Sequence, residues 1–233
     1  VFFTKIVDHN GKTLIDNTAP QTHRVIKDST AFLLTDAMAA STENNRKFAS
    51  SGININSTST RAHLDNMSVA GKSGTTSKNV DVWFVGFTPY YTCTLWMGYD
   101  EQTSQIGYEL RHHPIWKAIM DQINIKKKLK SKPFEIPESI TTATICTKCG
   151  KLAVPGLCDS APGGSTVKKE YFAVGTVPTE SCDVHVRVNI CEDTGEAAGP
   201  YCPNVVSKVF LVKDESVTQS DAYGKTVKRH YHT

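Results

Sequence analysis

Apolar and polar positions change period several times along the chain, and those changes divide it into segments. Ile6-Val7-Asp8 and Lys12-Thr13-Leu14-Ile15 flank His9-Asn10-Gly11. Asn-Gly between strand-like runs predicts a β-hairpin, because both turn positions tolerate positive φ. Pro20 limits the chain before a short extended segment at His23-Arg24-Val25-Ile26. The spacing then shifts to threes and fours. Ala31, Phe32, Leu34, Thr35, Met38 and Ala39 share one face, which predicts a helix of about three turns, capped by Asp28 or Ser29. Residues 41–59 are rich in Ser, Thr and Asn and read as a surface loop, with room for a short helix around Ser59 to Leu64.

Three aromatic and β-branched runs follow. They are Val69-Ala70-Gly71-Lys72-Ser73-Gly74-Thr75-Thr76, Asp81-Val82-Trp83-Phe84-Val85-Gly86-Phe87, and Tyr91-Thr92-Cys93-Thr94-Leu95-Trp96-Met97. Short runs joined by turn residues predict three successive antiparallel strands. Their continuous apolarity predicts a central sheet covered on both faces. Pro114 opens a helix whose buried side is read as Ile115, Trp116, Ile119, Met120 and Ile123.

After residue 125 the texture changes. A lysine run at 126–132 and Pro133-Phe134-Glu135-Ile136-Pro137 read as a linker over 126–139. Short strand candidates at 143–145, 171–174, 184–188 and 205–212 then predict a small β domain over 140–212. The polar segment 213–233 reads as a frayed tail. The fold class expected is mixed α/β (α+β), an antiparallel sheet with packed helices followed by a small β-rich domain.

Composition narrows the function classes. The chain of 233 residues carries a net charge of +3 with no basic stripe interleaved with aromatics, which argues against nucleic-acid binding. No apolar run approaches the roughly 18 residues that span a bilayer. Val1-Phe2-Phe3-Thr4 reads as the middle of a strand, so a fragment is expected.

Lys72-Ser73-Gly74-Thr75 has a chemical logic on a strand. Lys72 offers a cation, Ser73 and Thr75 offer hydroxyls, and Gly74 removes a side chain where a ligand approaches. That set suits an anion or a developing oxyanion. A phosphate-binding loop also ends in Gly-Lys-Ser, but it needs a glycine where Asn66 stands. Asp81 is read as fixing the loop before its strand, Trp83 and Trp96 as packing residues, Cys93 as an inert buried thiol, and His63 as structural or exposed.

The stretch Val69 to Thr76, followed by Asp81 to Pro89 and by Leu95-Trp96-Met97-Gly98-Tyr99-Asp100, strongly resembles the third active-site motif and succeeding strands of class A, bifunctional penicillin-binding proteins. Those proteins carry a related Lys-Thr-Gly motif; Ser73 keeps the hydroxyl here. The resemblance covers residues 1–125, and the cysteine-rich remainder resembles a tail of clostridial-type members. It implies the carboxyl-terminal part of a transpeptidase domain of the penicillin-binding/serine β-lactamase-like fold. The implied reaction is serine acyl transfer on peptidoglycan stem peptides ending in D-Ala-D-Ala, with β-lactams trapping the serine. It makes Lys72 catalytic and Ser73, Gly74, Thr75 and Thr76 substrate-binding, with no cofactor and no metal. The partners implied are stem peptides, β-lactams and the upstream half of the same domain, on the same or on a separate chain. A glycosyltransferase domain and membrane anchor are expected upstream, at the extracytoplasmic face of the membrane.

The family's Ser-x-x-Lys and Ser-x-Asn motifs are missing from residues 1–71. Ser165-Thr166-Val167-Lys168 has the spacing but the wrong place and order. The chain alone is therefore expected to be inactive and to expose apolar sheet surface. The competing readings are a related D,D-carboxypeptidase, a noncatalytic β-lactam sensor and a wall-binding module. Cys146, Cys149, Cys158, Cys182, Cys191 and Cys202 crowd one region. Cys146-x-x-Cys149 and Cys182-x-x-His185 have metal-like spacing, but the implied location favours disulfides, whose pairing spacing cannot separate.

Overall fold

A computed structural model describes residues 2–19, 23–43, 57–105 and 112–212, with the backbone alone of strands at 218–220 and 226–228. Most of the loop at 41–59 and part of the tail lie outside the described residues. Strands β1 (Lys5–Val7) and β2 (Thr13–Asp16) form the expected hairpin. Its turn is organised by Asp8, whose carboxylate accepts the Asn10 and Lys12 amides at 2.9 Å each, while Gly11 takes φ +81°.

Helix α1 (Asp28–Ala40) begins one residue earlier than a cap at Asp28 requires and two earlier than a cap at Ser29. Lys27 occupies the N-cap without a side-chain bond, and Asp28 pairs instead with Arg24. The buried face is Ser29, Phe32 and Ala40, so Leu34, expected inward, faces solvent. A 3₁₀ turn at Thr60–Ala62 follows the loop.

Strands β3 (Ala70–Thr75), β4 (Val82–Phe87) and β5 (Thr92–Met97) make one antiparallel sheet in that order. Alternation is strict along β4: Val82, Phe84 and Gly86 are buried, whereas Trp83 and Val85 are exposed. Helix α2 (His112–Lys127) covers the inner face. Its Trp116 and Met120 are fully buried with Phe84, and the Trp116 indole donates to the Cys93 carbonyl at 2.9 Å. Ile115 and Ile119 turn outward, contrary to expectation. The core stripe runs instead through His112, His113, Trp116 and Met120, with Ile123 partly buried beside it.

Among the described residues only one face of the sheet is covered. The other carries Trp83, Val85 and Trp96, 40%, 41% and 44% exposed, which corrects the expectation of two covered faces. The alternating pattern follows from the buried partners all lying on the α2 side.

Beyond α2, Phe134 packs edge-on against Phe87 at 5.5 Å between ring centroids. Four longer strands then pair as two separate hairpins: β6 (Ile140–Cys146) with β7 (Val167–Ala173), and β8 (His185–Cys191) with β9 (Val205–Leu211). Tyr171 of β7 meets Phe32 of α1 at 5.1 Å, joining this region to the first. Strands β10 (Thr218–Ser220) and β11 (Thr226–Lys228) pair antiparallel, so part of the expected frayed tail is a ribbon.

The two hairpins repeat one frame, which the strand patterns did not reveal. Gly150 donates to Cys146 and Gly195 to Cys191, both at 2.8 Å; Cys146 donates to Lys151 and Cys191 to Glu196, also both at 2.8 Å. Ile145 bridges Leu152 as Ile190 bridges Ala197. Both glycines lie at positive φ, 76° and 75°, where a side chain would strain the turn.

Substituting Gly86→Ala would bring a Cβ within 2.5 Å of the Trp116 ring. Overpacking of this kind should destabilise the sheet unit by about 2 kcal/mol. Urea unfolding followed by tryptophan fluorescence checks it, and an unchanged midpoint would contradict the packing described.

Candidate functional site

Strand β3 is the edge of its sheet, and the end of α1 anchors part of that edge. The Ser41 hydroxyl is shared between the Met38 carbonyl at 2.8 Å and the Gly71 carbonyl at 3.0 Å, and the Thr42 hydroxyl between the Ala39 carbonyl at 2.8 Å and the Val69 carbonyl at 3.1 Å. The Gly71 and Val69 carbonyls point away from β4. Because backbone groups alternate sides along a strand, Ser73 and Thr75 also turn their N–H and C=O groups to the outer edge. Lys72 and Gly74 instead pair with Val85 and Trp83 of β4.

Side chains follow the complementary alternation. Lys72 is exposed, and its ammonium donates to the Ser73 carbonyl at 2.7 Å. Ser73 is half-buried and Thr75 exposed. Gly74 presents bare backbone on the Lys72 side; a Cβ there would meet only Trp83, at 3.5 Å. All four residues therefore lie along the sheet's edge strand, with the Lys72 side chain on the face that carries Trp83 and Val85 and the Ser73 and Thr75 hydroxyls on the opposite face with Phe84 and Val82. A cavity of about 400 Å³ lies elsewhere, between α1, residues 63–69 and Phe134, Ile136 and Tyr171; it includes His63 but none of Lys72, Ser73 or Thr75.

Thr76 is engaged differently. The Asp81 amide donates to its hydroxyl at 2.8 Å, and its own amide donates to the Asp81 carbonyl at 3.0 Å. Asp81 also accepts the Trp96 indole at 3.0 Å. This carboxylate therefore holds the 76–81 loop against β5, a structural task. Cys93 is half-buried, and burial raises its pKa, keeping the thiol protonated near neutrality.

The cysteines divide into two sets. Cys191 and Cys202 are joined by a disulfide. Cys146, Cys149, Cys158 and Cys182 are thiols. Burial pushes Cys149 and Cys158 upward in pKa. Burial opposes ionisation of Cys146 as well, but the Lys148 and Cys149 amides and the Thr166 hydroxyl outweigh it and bring this thiol below its ordinary value. His185, read from sequence only as half of a spaced pair, is buried among them.

Comparison with known proteins follows these two regions. Residues 1–121 match the penicillin binding protein transpeptidase domain, and residues 136–187 match the penicillin-binding protein 1A C-terminal domain. Penicillin-binding protein 1A of Clostridium botulinum (strain Langeland / NCTC 10281 / Type F) is 34% identical over 217 residues, 92% of this chain and 24% of that protein. The Clostridium tetani protein of the same name is 31% identical over 194 residues, 81% and 22%. The chain therefore spans less than a quarter of the length of these two relatives. The crystal structure of penicillin-binding protein 1A from Haemophilus influenzae superposes with a TM-score of 0.53 at 25% identity, covering 76% of this chain and 29% of that one.

His113 gives the fold a pH dependence. Burial, then the neighbouring charges of His112 and Arg61, lower its pKa from 6.5 to about 4. Between those values the unfolded imidazole binds a proton that the folded one refuses, so stability is complete above pH 6.5 and falls as pH drops toward 4. The loss should approach about 1.4 kcal/mol per pH unit. Denaturation titrations of the chain and of His113→Phe check this; parallel acid-side slopes would contradict it.

Proposed function

The chain belongs to the penicillin-binding protein 1A family, and from that premise we propose that it supplies one wall of a peptidoglycan D,D-transpeptidase site. The observation that carries the reading is the Lys72-to-Thr75 stretch of the edge strand β3, where the Lys72 ammonium reaches round to the Ser73 carbonyl and the Ser73 and Thr75 backbone groups turn outward, so that cation, hydroxyls and amides border one strand edge.

In this reading a serine outside residues 1–71 attacks the penultimate D-Ala carbonyl. The Thr75 amide donates to the oxyanion that develops, from a position fixed before reaction. The bond to the terminal D-Ala breaks, and the departing amine takes a proton. An amine of a second stem peptide then attacks the acyl-enzyme and releases the serine, forming the cross-link. Ser73 and Thr75 hydroxyls bind the terminal carboxylate, while Lys72 sets the local field and guides proton transfer. Gly74 lets the substrate backbone lie close to the strand. Thr76, committed to Asp81, keeps the end of that strand in place.

The neighbouring half of the domain, the glycosyltransferase activity and the membrane anchor belong to the parent protein in this proposal. That protein acts at the extracytoplasmic face of the bacterial membrane. Among the described residues no helix is long and apolar enough to cross it.

A fluorescent penicillin should leave this isolated chain unlabelled and acylate a serine of the complete protein. In that complete protein Lys72→Ala should slow acylation by about 10²-fold or more without lowering expression. Intact-mass spectrometry reads both experiments. Labelling of the isolated chain, or equal acylation rates for the two complete proteins, would overturn the assignment.

A further inference from the structure

The first of the two repeated hairpins has a core made of sulfur. Its buried cluster is Cys146, Cys158 and Cys182, with Cys149, Ala153, Val154 and Val184 packed around it and no large aliphatic or aromatic side chain at its centre. Such a unit buries little apolar surface and needs another source of folding energy. The second hairpin obtains one covalently, through Cys191–Cys202.

Cys146 and Cys158 occupy the corresponding places in the first hairpin, but two further ligating groups enter there. Cys182 and His185 approach from the segment before β8 and from its first residue. One ligand atom from each of these four residues lies within 4.8 Å of all the others, and all four residues are buried. The His185 Nδ1 atom stands 3.5 Å from the Cys146 sulfur and 3.2 Å from that of Cys182.

These separations suit a tetrahedral ion. Zinc–sulfur bonds of about 2.3 Å and zinc–nitrogen bonds of about 2.0 Å place sulfur and nitrogen about 3.5 Å apart along a tetrahedron edge. The surroundings also orient the imidazole. Its Nε2 faces the Thr166 hydroxyl at 3.5 Å, and that hydroxyl donates to the Cys158 carbonyl at 2.9 Å. A proton held on Nε2 leaves Nδ1 bare toward the sulfurs, the arrangement by which second-shell partners fix a metal-binding tautomer. The Val154 amide donates to the Cys158 sulfur at 3.3 Å, which stabilises thiolate charge.

We propose that Cys146, Cys158, Cys182 and His185 bind a structural zinc-class divalent ion that holds β6, β8 and the segments carrying Cys158 and Cys182 together. Three thiolates and one neutral imidazole fill a tetrahedral shell and leave no open position, so the site is a folding clip and carries no catalysis. The proposal departs from the sequence expectation of disulfides at these residues. A Cys146–Cys158 bond would copy the second hairpin but leave His185 Nδ1 facing sulfurs with no ligand to share.

The test uses the full chain purified without chelator. Elemental analysis should find zinc near one equivalent per chain, and cobalt exchanged into the site should show the intense visible absorption of tetrahedral thiolate coordination. Alkylation after denaturation with a chelator, but without reductant, should label Cys146, Cys158 and Cys182, while Cys191 and Cys202 react only after reduction. His185→Cys should retain one equivalent, whereas His185→Ala should weaken zinc binding by about 10-fold or more, read by competition with a chromogenic chelator. Absence of metal together with peptide maps showing Cys146 or Cys182 in a disulfide would overturn the proposal, and this result does not depend on any variant folding. Retention of full zinc affinity by His185→Ala would also overturn the assigned ligand set.

Discussion

Gly71 and Gly86 face each other across β3 and β4, and the space their missing side chains leave is filled by the rings of Phe84 and Trp116. A Cβ on either glycine would approach one of those rings to 2.5 Å. This packing pins the register. A slip of β3 by one residue would turn Lys72 into the α2 face and Ser73 and Thr75 away from it. With the register held, alternation leaves Lys72 and Gly74 on the uncovered side and directs the Ser73 and Thr75 backbone to the sheet's outer edge. The functional proposal is thus a consequence of how two aromatic rings lie on two glycines.

The second region braces the first through few but specific contacts. Phe134 meets Phe87, Tyr171 meets Phe32, and a cavity lined by Phe32, Phe134 and Tyr171 lies at this junction. Inside that region the two hairpins solve one problem in two ways. Both keep the same glycine turn and the same ladder, yet one is closed by a disulfide and the other converges on three thiols and an imidazole. Small units without a broad apolar core need such links.

Much of the fold was legible from local chemistry. The hairpin at Asn10-Gly11, the three strands and the final helix each have a strong short-range signal, and each forms. Boundaries and faces were harder. Ile115 and Ile119 are apolar at helical spacing, yet the core selects Trp116 and Met120, because only their direction reaches Phe84. Leu34 is exposed for the same reason: periodicity names a stripe, while the neighbouring strand decides which side of it is buried. Lys72 to Thr75 could be named from sequence, but their arrangement depends on the long-range pairing of β3 with β4 and the anchor from Ser41. The convergence of Cys146, Cys158, Cys182 and His185 depends on contacts across 39 residues, which spacing alone does not encode.

The most direct measurement is a crystal structure of the complete protein acylated by a penicillin. The account predicts the drug's carboxylate at the Ser73 and Thr75 hydroxyls, its acyl oxygen at the Thr75 amide and the Lys72 ammonium within the same cleft. An adduct held on a serine remote from β3, with that strand's outer edge covered by other protein, would contradict it.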